Sequence, residues 1–342
     1  MIKALLRQPL FVIGFLFVFA LVIASFFYTA VYHDKVPQLL LLYDKNGNVL
    51  AKSPLTPSQH PLFGTDKQGY DLTRQLLIGA KYTILGASVI ALIRILMSFV
   101  CGVIYGSYLY RFKRFFTGIV DAFHVIPLTL LAYLMLRTVL LMNGGTSEFA
   151  YSLTTRLVFE VLVLAVIAVP VVGVLIGNEI GNVLQNEYIQ CAKILGGSRW
   201  HILFRHVMPH LLPRLVIIFI QQIIQVMIVM VHLGLLELFF GGTMIMQSLT
   251  GTEVFSFSNE WSGLIGNSRM YLDIYPWLLF GPLVLFTITI IAFSFMVEGL
   301  NKAIAWHKIQ RIKRESSPVE AGDASINDQA DPFAFVRQDA SA

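Results

Sequence analysis

Charged residues are scarce in this chain. Asp, Glu, Lys and Arg make up 13% of its 342 residues, about half the share of a soluble domain, while 56% are hydrophobic. Mean hydropathy is +0.71. An ordinary soluble protein is thereby excluded. Only two cysteines occur, Cys101 and Cys191, which rules out a disulfide-rich secreted scaffold. Motifs that carry chemistry are missing too. The chain has no Gly-x4-Gly-Lys-Ser/Thr phosphate loop, no His-Glu-x-x-His pair and no Gly-x-Ser-x-Gly nucleophile turn. It is therefore read as non-catalytic, with no cofactor. His201, His206 and His210 recur at helical spacings, and interfacial histidines explain them better than a metal site. Nucleic-acid binding finds no support, because the net charge is only +5 and the basic residues are scattered beside apolar runs.

Long apolar runs are what the chain has in abundance. They cover 10–32, 82–110, 115–136, 157–177, 215–240 and 274–297, and a bilayer crossing takes about 20 residues. Arg94 interrupts the second, Asp121, His124 and Pro127 the third, Glu160 and Pro170 the fourth. The first run follows Lys3 and Arg7 but is longer than the apolar core of a secretory signal, so a retained span is expected. Every backbone polar group must be satisfied inside a membrane. The expected fold is an all-α polytopic membrane protein with six transmembrane helices.

Basic residues near span ends mark the cytoplasmic side. Lys3 and Arg7, then Arg111, Lys113 and Arg114, then Lys193, Arg199, Arg205 and Arg214, then Lys302, Lys308, Arg311, Lys313 and Arg314 all fall on one side of a six-span chain. Both termini are thus predicted to be cytoplasmic. Residues 33–80 form a long outer loop with turn signals at Asn46-Gly47 and Ser53-Pro54, and 241–273 form a second, rich in Gly, Ser and Thr. The acidic tail from Glu315 reads as disordered. No internal repeat is visible, which disfavours a carrier built from paired halves.

One cytoplasmic connection, 179–213, is too structured for a linker. Apolar residues at 188, 191, 192 and 195 share one helical face, Gly196-Gly197 supplies a stop, and Ser198 is placed to cap a second helix. That helix is predicted over 199–208, ending where Pro209 and Pro213 lead into span five. A helix–glycine–helix projection between two spans can transmit force as a rigid body. A pair of helices lying on the membrane, with Arg199 and Arg205 near lipid phosphates, fits the composition equally well.

Polar residues within spans carry two readings each. Gln221, Gln222 and Gln225 cluster on one helical face, where they line a polar path or hydrogen-bond to neighbouring helices. Arg94 needs a carboxylate, a wet cavity or carbonyls, and a structural pair with Asp121 or Glu160 is expected before a transport role. Asp121 and His124 read as a buried structural pair before a proton relay.

At 190–209 the chain resembles the membrane subunits of ATP-binding-cassette importers, whose signature is Glu-Ala-Ala, three residues, Gly, nine residues, Ile-x-Leu-Pro. Gln190-Cys191-Ala192, Gly196 and His206-Val207-Met208-Pro209 keep the spacing, with Gln, Cys, His and Met replacing Glu, Ala, Ile and Leu. His60-Pro-Leu-Phe-Gly-Thr-Asp-Lys-Gln-Gly-Tyr-Asp71 is similar to the stretch before span two in oligopeptide/dipeptide-type permeases, with Tyr70 where that group has arginine. Arg74 to Ala80, Trp261-Ser-Gly-Leu-Ile-Gly266, Pro276-Trp277 and Glu298-Gly-Leu-Asn-Lys302 resemble further family stretches. One span before the long outer loop points to the C-type subunit.

The resemblance implies a type I importer permease core of five helices at 80–300, preceded by a first span at 1–32 and an extracytoplasmic loop at 33–79, with a cytoplasmic tail at 301–342. It implies a bacterial inner-membrane location, a heterodimer with a second permease subunit, two cytoplasmic ATPase subunits and an extracytoplasmic substrate-binding protein. Residues 187–197 would be the helix coupling to an ATPase, with Glu187, Gln190, Cys191, Ala192, Gly196, Gly197 and Pro209 as its expected site residues. The expected function is the permease subunit of an ATP-driven importer for oligopeptides or dipeptides, nickel chelates being another cargo of similar permeases. The competing reading is an ion- or proton-coupled secondary transporter using Asp121, His124 and Glu160, and a channel or membrane scaffold stands third.

Overall fold

A computed structural model describes residues 5–44, 46–60, 62–142, 148–248, 251–256 and 258–315. The acidic tail expected beyond these lies outside the described residues.

The first helix, α1 (Pro9–Tyr32), starts on a proline, whose missing N–H is an orphan at that position anyway. It stops at His33 in the left-handed region, where the His33 N–H reaches the Thr29 carbonyl at 2.9 Å. A short hairpin follows, β1 (Leu41–Tyr43) against β2 (Val49–Lys52), turning through Gly47 at φ 79°. The first turn signal read from the sequence thus lies at a hairpin. Asp71 then caps α2 (Leu72–Ile104), accepting from the Thr73 and Arg74 N–H groups at 2.9 and 3.4 Å.

Helix α2 is the axis of the bundle. It contacts α1, α5 (Leu153–Val166), α6 (Val169–Leu184), α9 (Met208–Leu235), α10 (Trp261–Ser268) and α11 (Trp277–Glu315). Helices α2 and α6 approach each other closely. Gly102 and Gly106 lie against Gly173 and Gly177, and a Cβ at Gly106 would sit 2.7 Å from the Gly177 carbonyl. Small residues let helices meet this closely where burial of apolar surface gives no preference for helix over lipid. Another face of α2 carries exposed Leu85, Val89, Leu92, Leu96 and Val100, an apolar stripe suited to lipid or a second subunit.

The third and fourth apolar runs are broken. Helices α3 (Lys113–Val125) and α4 (Leu128–Leu140) meet at 68°, and α5 meets α6 at 46°. Proline causes the first break: Ile126 is extended because the Pro127 ring forbids helical backbone before it. At the second, Pro170 removes a donor from the first turn of α6. Among the described residues, four helices are long and apolar enough to cross a membrane, and up to six if each bent pair is one span. The six runs read from the sequence all fall on these helices.

Two expectations are corrected. The helix expected to end before Pro209 does not end there. Short helices α7 (Glu187–Ile194) and α8 (Arg199–His201) lead through a widened π turn at Ile202–Val207 directly into α9. Pro209 lacks an N–H and crowds the carbonyl one turn back, so the turn before it opens instead of breaking. The stretch 241–273 is not a plain loop. It folds into a hairpin, β3 (Thr243–Ser248) with β4 (Gly251–Ser256), and then α10, whose residues are mostly buried.

Two apolar clusters fill the bundle. The larger holds Leu76, Ile90, Leu136, Met227, Trp261 and Phe286, and the smaller holds Val172, Ile176, Ile189, Ile202, Val207 and Leu211. Phe219 packs against both. Gly106→Val should destabilise the fold by about 1–3 kcal/mol through overpacking, whereas Gly118→Val, whose Cβ meets open space, should be near neutral. Thermal unfolding of the two variants in detergent checks this, and equal midpoints would contradict the close α2–α6 contact.

Candidate functional site

The segment singled out from the sequence forms an elbow at the end of the bundle opposite the two hairpins. Helix α7 begins after extended Asn186 with Glu187 in its first turn, where a carboxylate suits the helix dipole. Gln190 folds back to donate to the Leu184 carbonyl at 2.9 Å, and Lys193 reaches the same oxygen at 3.5 Å. Gly196 takes φ 84° and ends the helix, and the Gly197 N–H closes onto the Ala192 carbonyl at 3.1 Å. Ser198 then accepts from the His201 N–H at 3.3 Å. Glycine stop and serine cap both sit where the sequence placed them.

The face at 188, 191, 192 and 195 points outward rather than into the bundle. Tyr188 and Cys191 are exposed, Ala192 is half-buried, and Ile194 and Leu195 are 85% and 88% exposed. Only Ile189 turns inward, fully buried in the cluster with Ile202, Val207 and Leu211. One anchor thus fixes α7 to the start of α9, while its apolar tip stands free. Beside it Trp200 and Phe204 stack at 5.8 Å, both exposed, and Arg199 lies over the Tyr108 ring at 4.9 Å. A cavity of about 410 Å³ lined by Ser107, Lys193, Gly197 and Arg199 separates the elbow from the end of α2.

The three glutamines of α9 do not act together. Gln222 is buried and accepts from Arg94 Nη1 at 2.9 Å, while Gln221 and Gln225 are exposed. Arg94 is fully buried, and its Nη2 donates to the Leu164 carbonyl at 2.6 Å. Neither expected carboxylate pairs with it. Glu160 is instead engaged by the Gly241 N–H at 2.9 Å, and Asp121 is exposed. The side chain of His124 lies outside the described residues, so the Asp121–His124 pairing is not addressed. His201 and His206 face each other at 5.7 Å and His210 packs on Tyr188. Among the described residues, no group of three His, Cys, Asp or Glu side chains is placed to hold a metal.

At the loop end, the family-like stretch before span two proves to be a capping device. Thr65 Oγ1 accepts from the Leu55 N–H at 2.8 Å. Asp66 accepts from the Gln68 and Tyr70 N–H groups and from Gln75 Nε2, at 2.9, 2.8 and 2.6 Å. Burial pushes the Asp66 carboxyl above the ordinary carboxylate range, and those three bonds with the Lys67 charge only partly oppose it. Lys81, buried in α2, pairs with Asp34 at 3.0 Å and with Thr29. Sequence reasoning missed α10. Its Trp261 is fully buried, donates from Nε1 to the Leu76 carbonyl at 2.7 Å, and donates its backbone N–H to Thr83 Oγ1 at 3.1 Å. The available signal was Glu260 followed by Trp261 and Ser262: Glu260 caps α10 through the Ser262 N–H at 2.8 Å.

Broken spans around a central helix, with a capped helical elbow between spans four and five, define the membrane half of a transport machine. Residues 98–307 match the family described as binding-protein-dependent transport system inner membrane component, and the chain belongs to that family. It is a membrane permease subunit of an ABC importer. Among its relatives is the probable D,D-dipeptide transport system permease protein DdpC of Escherichia coli K12, 26% identical over 77% of this chain and 78% of the relative. The glutathione transport system permease protein GsiD of Pectobacterium atrosepticum is 24% identical over 88% of each chain. The oligopeptide transport system permease protein OppC of Haemophilus influenzae is 21% identical over 86% of this chain and 82% of its own length.

Gln222→Leu should leave a buried guanidinium half-paired and cost about 1–3 kcal/mol of stability, while Gln221→Leu should cost almost nothing. Unfolding midpoints in detergent decide between this division of labour and three equivalent glutamines.

Proposed function

We propose that the chain forms, with a second permease subunit, the pathway of an ATP-driven importer for short peptides, and that α7 couples it to the ATPases. The observation that carries this reading is the elbow itself. Ile194 and Leu195 present apolar surface away from the bundle while Ile189 locks the same helix into it. Exposed apolar residues on a rigid tip suit insertion into a groove on a partner. Peptide cargo is inferred from relatives named for dipeptide, glutathione and oligopeptide transport.

Two ATPase subunits would hydrolyse ATP on the cytoplasmic side, and an extracytoplasmic binding protein would deliver substrate to the opposite side. In this reading both termini are cytoplasmic, as the basic residues beside the spans suggest, 80–300 is the permease core and 179–213 its coupling region. Closure of the ATPase pair would push on Glu187, Gln190, Cys191 and Ala192. Gly196 and Gly197 hold the angle of the elbow, and Pro209 passes motion into α9. Gln221 and Gln225 are the glutamines left open to line the pathway. The carrier alternative draws less support, because Glu160 already satisfies a backbone N–H.

Leu195→Asp should leave the fold intact, since the side chain is exposed, and should abolish co-purification of ATPase subunits and ATP-dependent uptake. Gly196→Pro, forced out of φ 84°, should do the same by tilting the tip. Intact ATPase co-purification and unchanged uptake in both variants would refute the coupling assignment.

A further inference from the structure

At the loop end, residues 34–36 and 66–70, the start of α2, strand β4 and helix α10 line a half-open chamber of about 290 Å³. Carboxylates of Asp34 and Asp66 line it, and no lysine or arginine does. Gln75, Ser256 and Asn267 also line it, and each has a buried oxygen, Oε1, Oγ and Oδ1, without a hydrogen-bond partner among the described residues. Gln75 is the firmest of these. It is 5% exposed, and its Nε2 donates to Asp66 Oδ2 at 2.6 Å, which fixes the amide and leaves Oε1 as an acceptor with nothing to accept.

Buried polar atoms are paired in nearly all folded proteins, so a group of orphans in one chamber asks for a ligand. Its chemistry follows from what is unpaired. All three open atoms are acceptors in their present orientation or, for the serine hydroxyl, able to accept, so the ligand must donate. Asp34 is answered by Lys81, whereas Asp66 receives only neutral N–H groups, so the ligand should also be positive. Lys67 does not fill that role, since its ammonium sits over the Tyr271 ring at 3.5 Å. A hard metal cation takes about six to eight oxygens and would compete for the bonds Asp66 already accepts. An ammonium group carries three N–H donors and positive charge.

We propose that this chamber receives the amino-terminal ammonium of a short peptide at the outer face of the permease, an inference that rests on the peptide-import reading. Gln75, Ser256 and Asn267 would take its N–H donors, and Asp66 would answer its charge.

The test uses the assembled transporter in lipid nanodiscs, titrated with trialanine and with N-acetyl-trialanine, in which a neutral acetamide replaces the ammonium. Trialanine should bind at least about tenfold more tightly than the acetylated peptide, as expected for loss of one charge-assisted contact. Asn267→Ala and Ser256→Ala should each shrink that ratio without changing binding of the acetylated peptide. Gln75→Met should abolish it, and the two milder variants keep the test valid should that one fail to fold. Equal affinity for the two peptides, or a ratio unmoved by both mild variants, would overturn the proposal. So would competition by sodium or calcium chloride alone at the concentration that saturates trialanine, which would mark a bare cation site. Uptake of labelled trialanine by cells separates the two levels: uptake without discrimination in the titration rejects only the chamber, and no uptake rejects peptide import itself.

Discussion

A fully buried guanidinium, that of Arg94, joins three helices of the bundle. Arg94 stands in the last third of α2 and, with no water to solvate it, must find acceptors inside the protein. It takes one from α9, the amide of Gln222, and one from α5, the carbonyl of Leu164. The second acceptor is available because α5 ends two residues later, and carbonyls in a last helical turn lack partners within the helix. A break between α5 and α6 therefore does more than bend a span. It frees the oxygen that lets an arginine tie three helices together without a counter-ion among the described residues.

That arrangement also explains where sequence reasoning succeeded and where it did not. Helical runs, the Ser198 cap and the Gly196 stop were legible because each depends on neighbours a few residues away. The partner of Arg94 was not. Charge bookkeeping pointed to Asp121 or Glu160, but an amide and a carbonyl won because helix packing brought them within reach. Gln221, Gln222 and Gln225 looked alike on a helical wheel, and only the position of α2 separates the buried one from the exposed pair. Helix α10 was hidden for another reason. Its Gly, Ser and Asn content reads as a loop, yet small residues are what allow it to pack between α9 and α11.

Contacts run without a gap from the elbow to the polar centre. Ile189 packs with Ile202, Val207 and Leu211, these with Ile218, and Phe219 bridges to the larger cluster, three residues from Gln222. Physical continuity of this sort is a condition for transmission, not a demonstration of it. At the other end, the approach to the β3–β4 hairpin is held twice, by Glu160 on the Gly241 N–H and by Glu260 on the Phe240 N–H at 3.4 Å. The hairpin is thereby bound to both α5 and α10.

The uninterrupted passage from α8 through the π turn into α9 has a mechanical consequence. Residues Arg199–Leu235 form a 37-residue rod, about 55 Å long at 1.5 Å per residue. A hydrocarbon core is only about 30 Å thick. Such a rod can serve as a lever whose elbow-side arm extends past a hydrocarbon core, and tilting it by about 5° about its far end would swing that tip through about 5 Å, roughly one helical turn. Had Pro209 broken the chain as prolines commonly do, the tip and the span would have been separate pieces joined by a hinge, and displacement at one would have been lost before reaching the other.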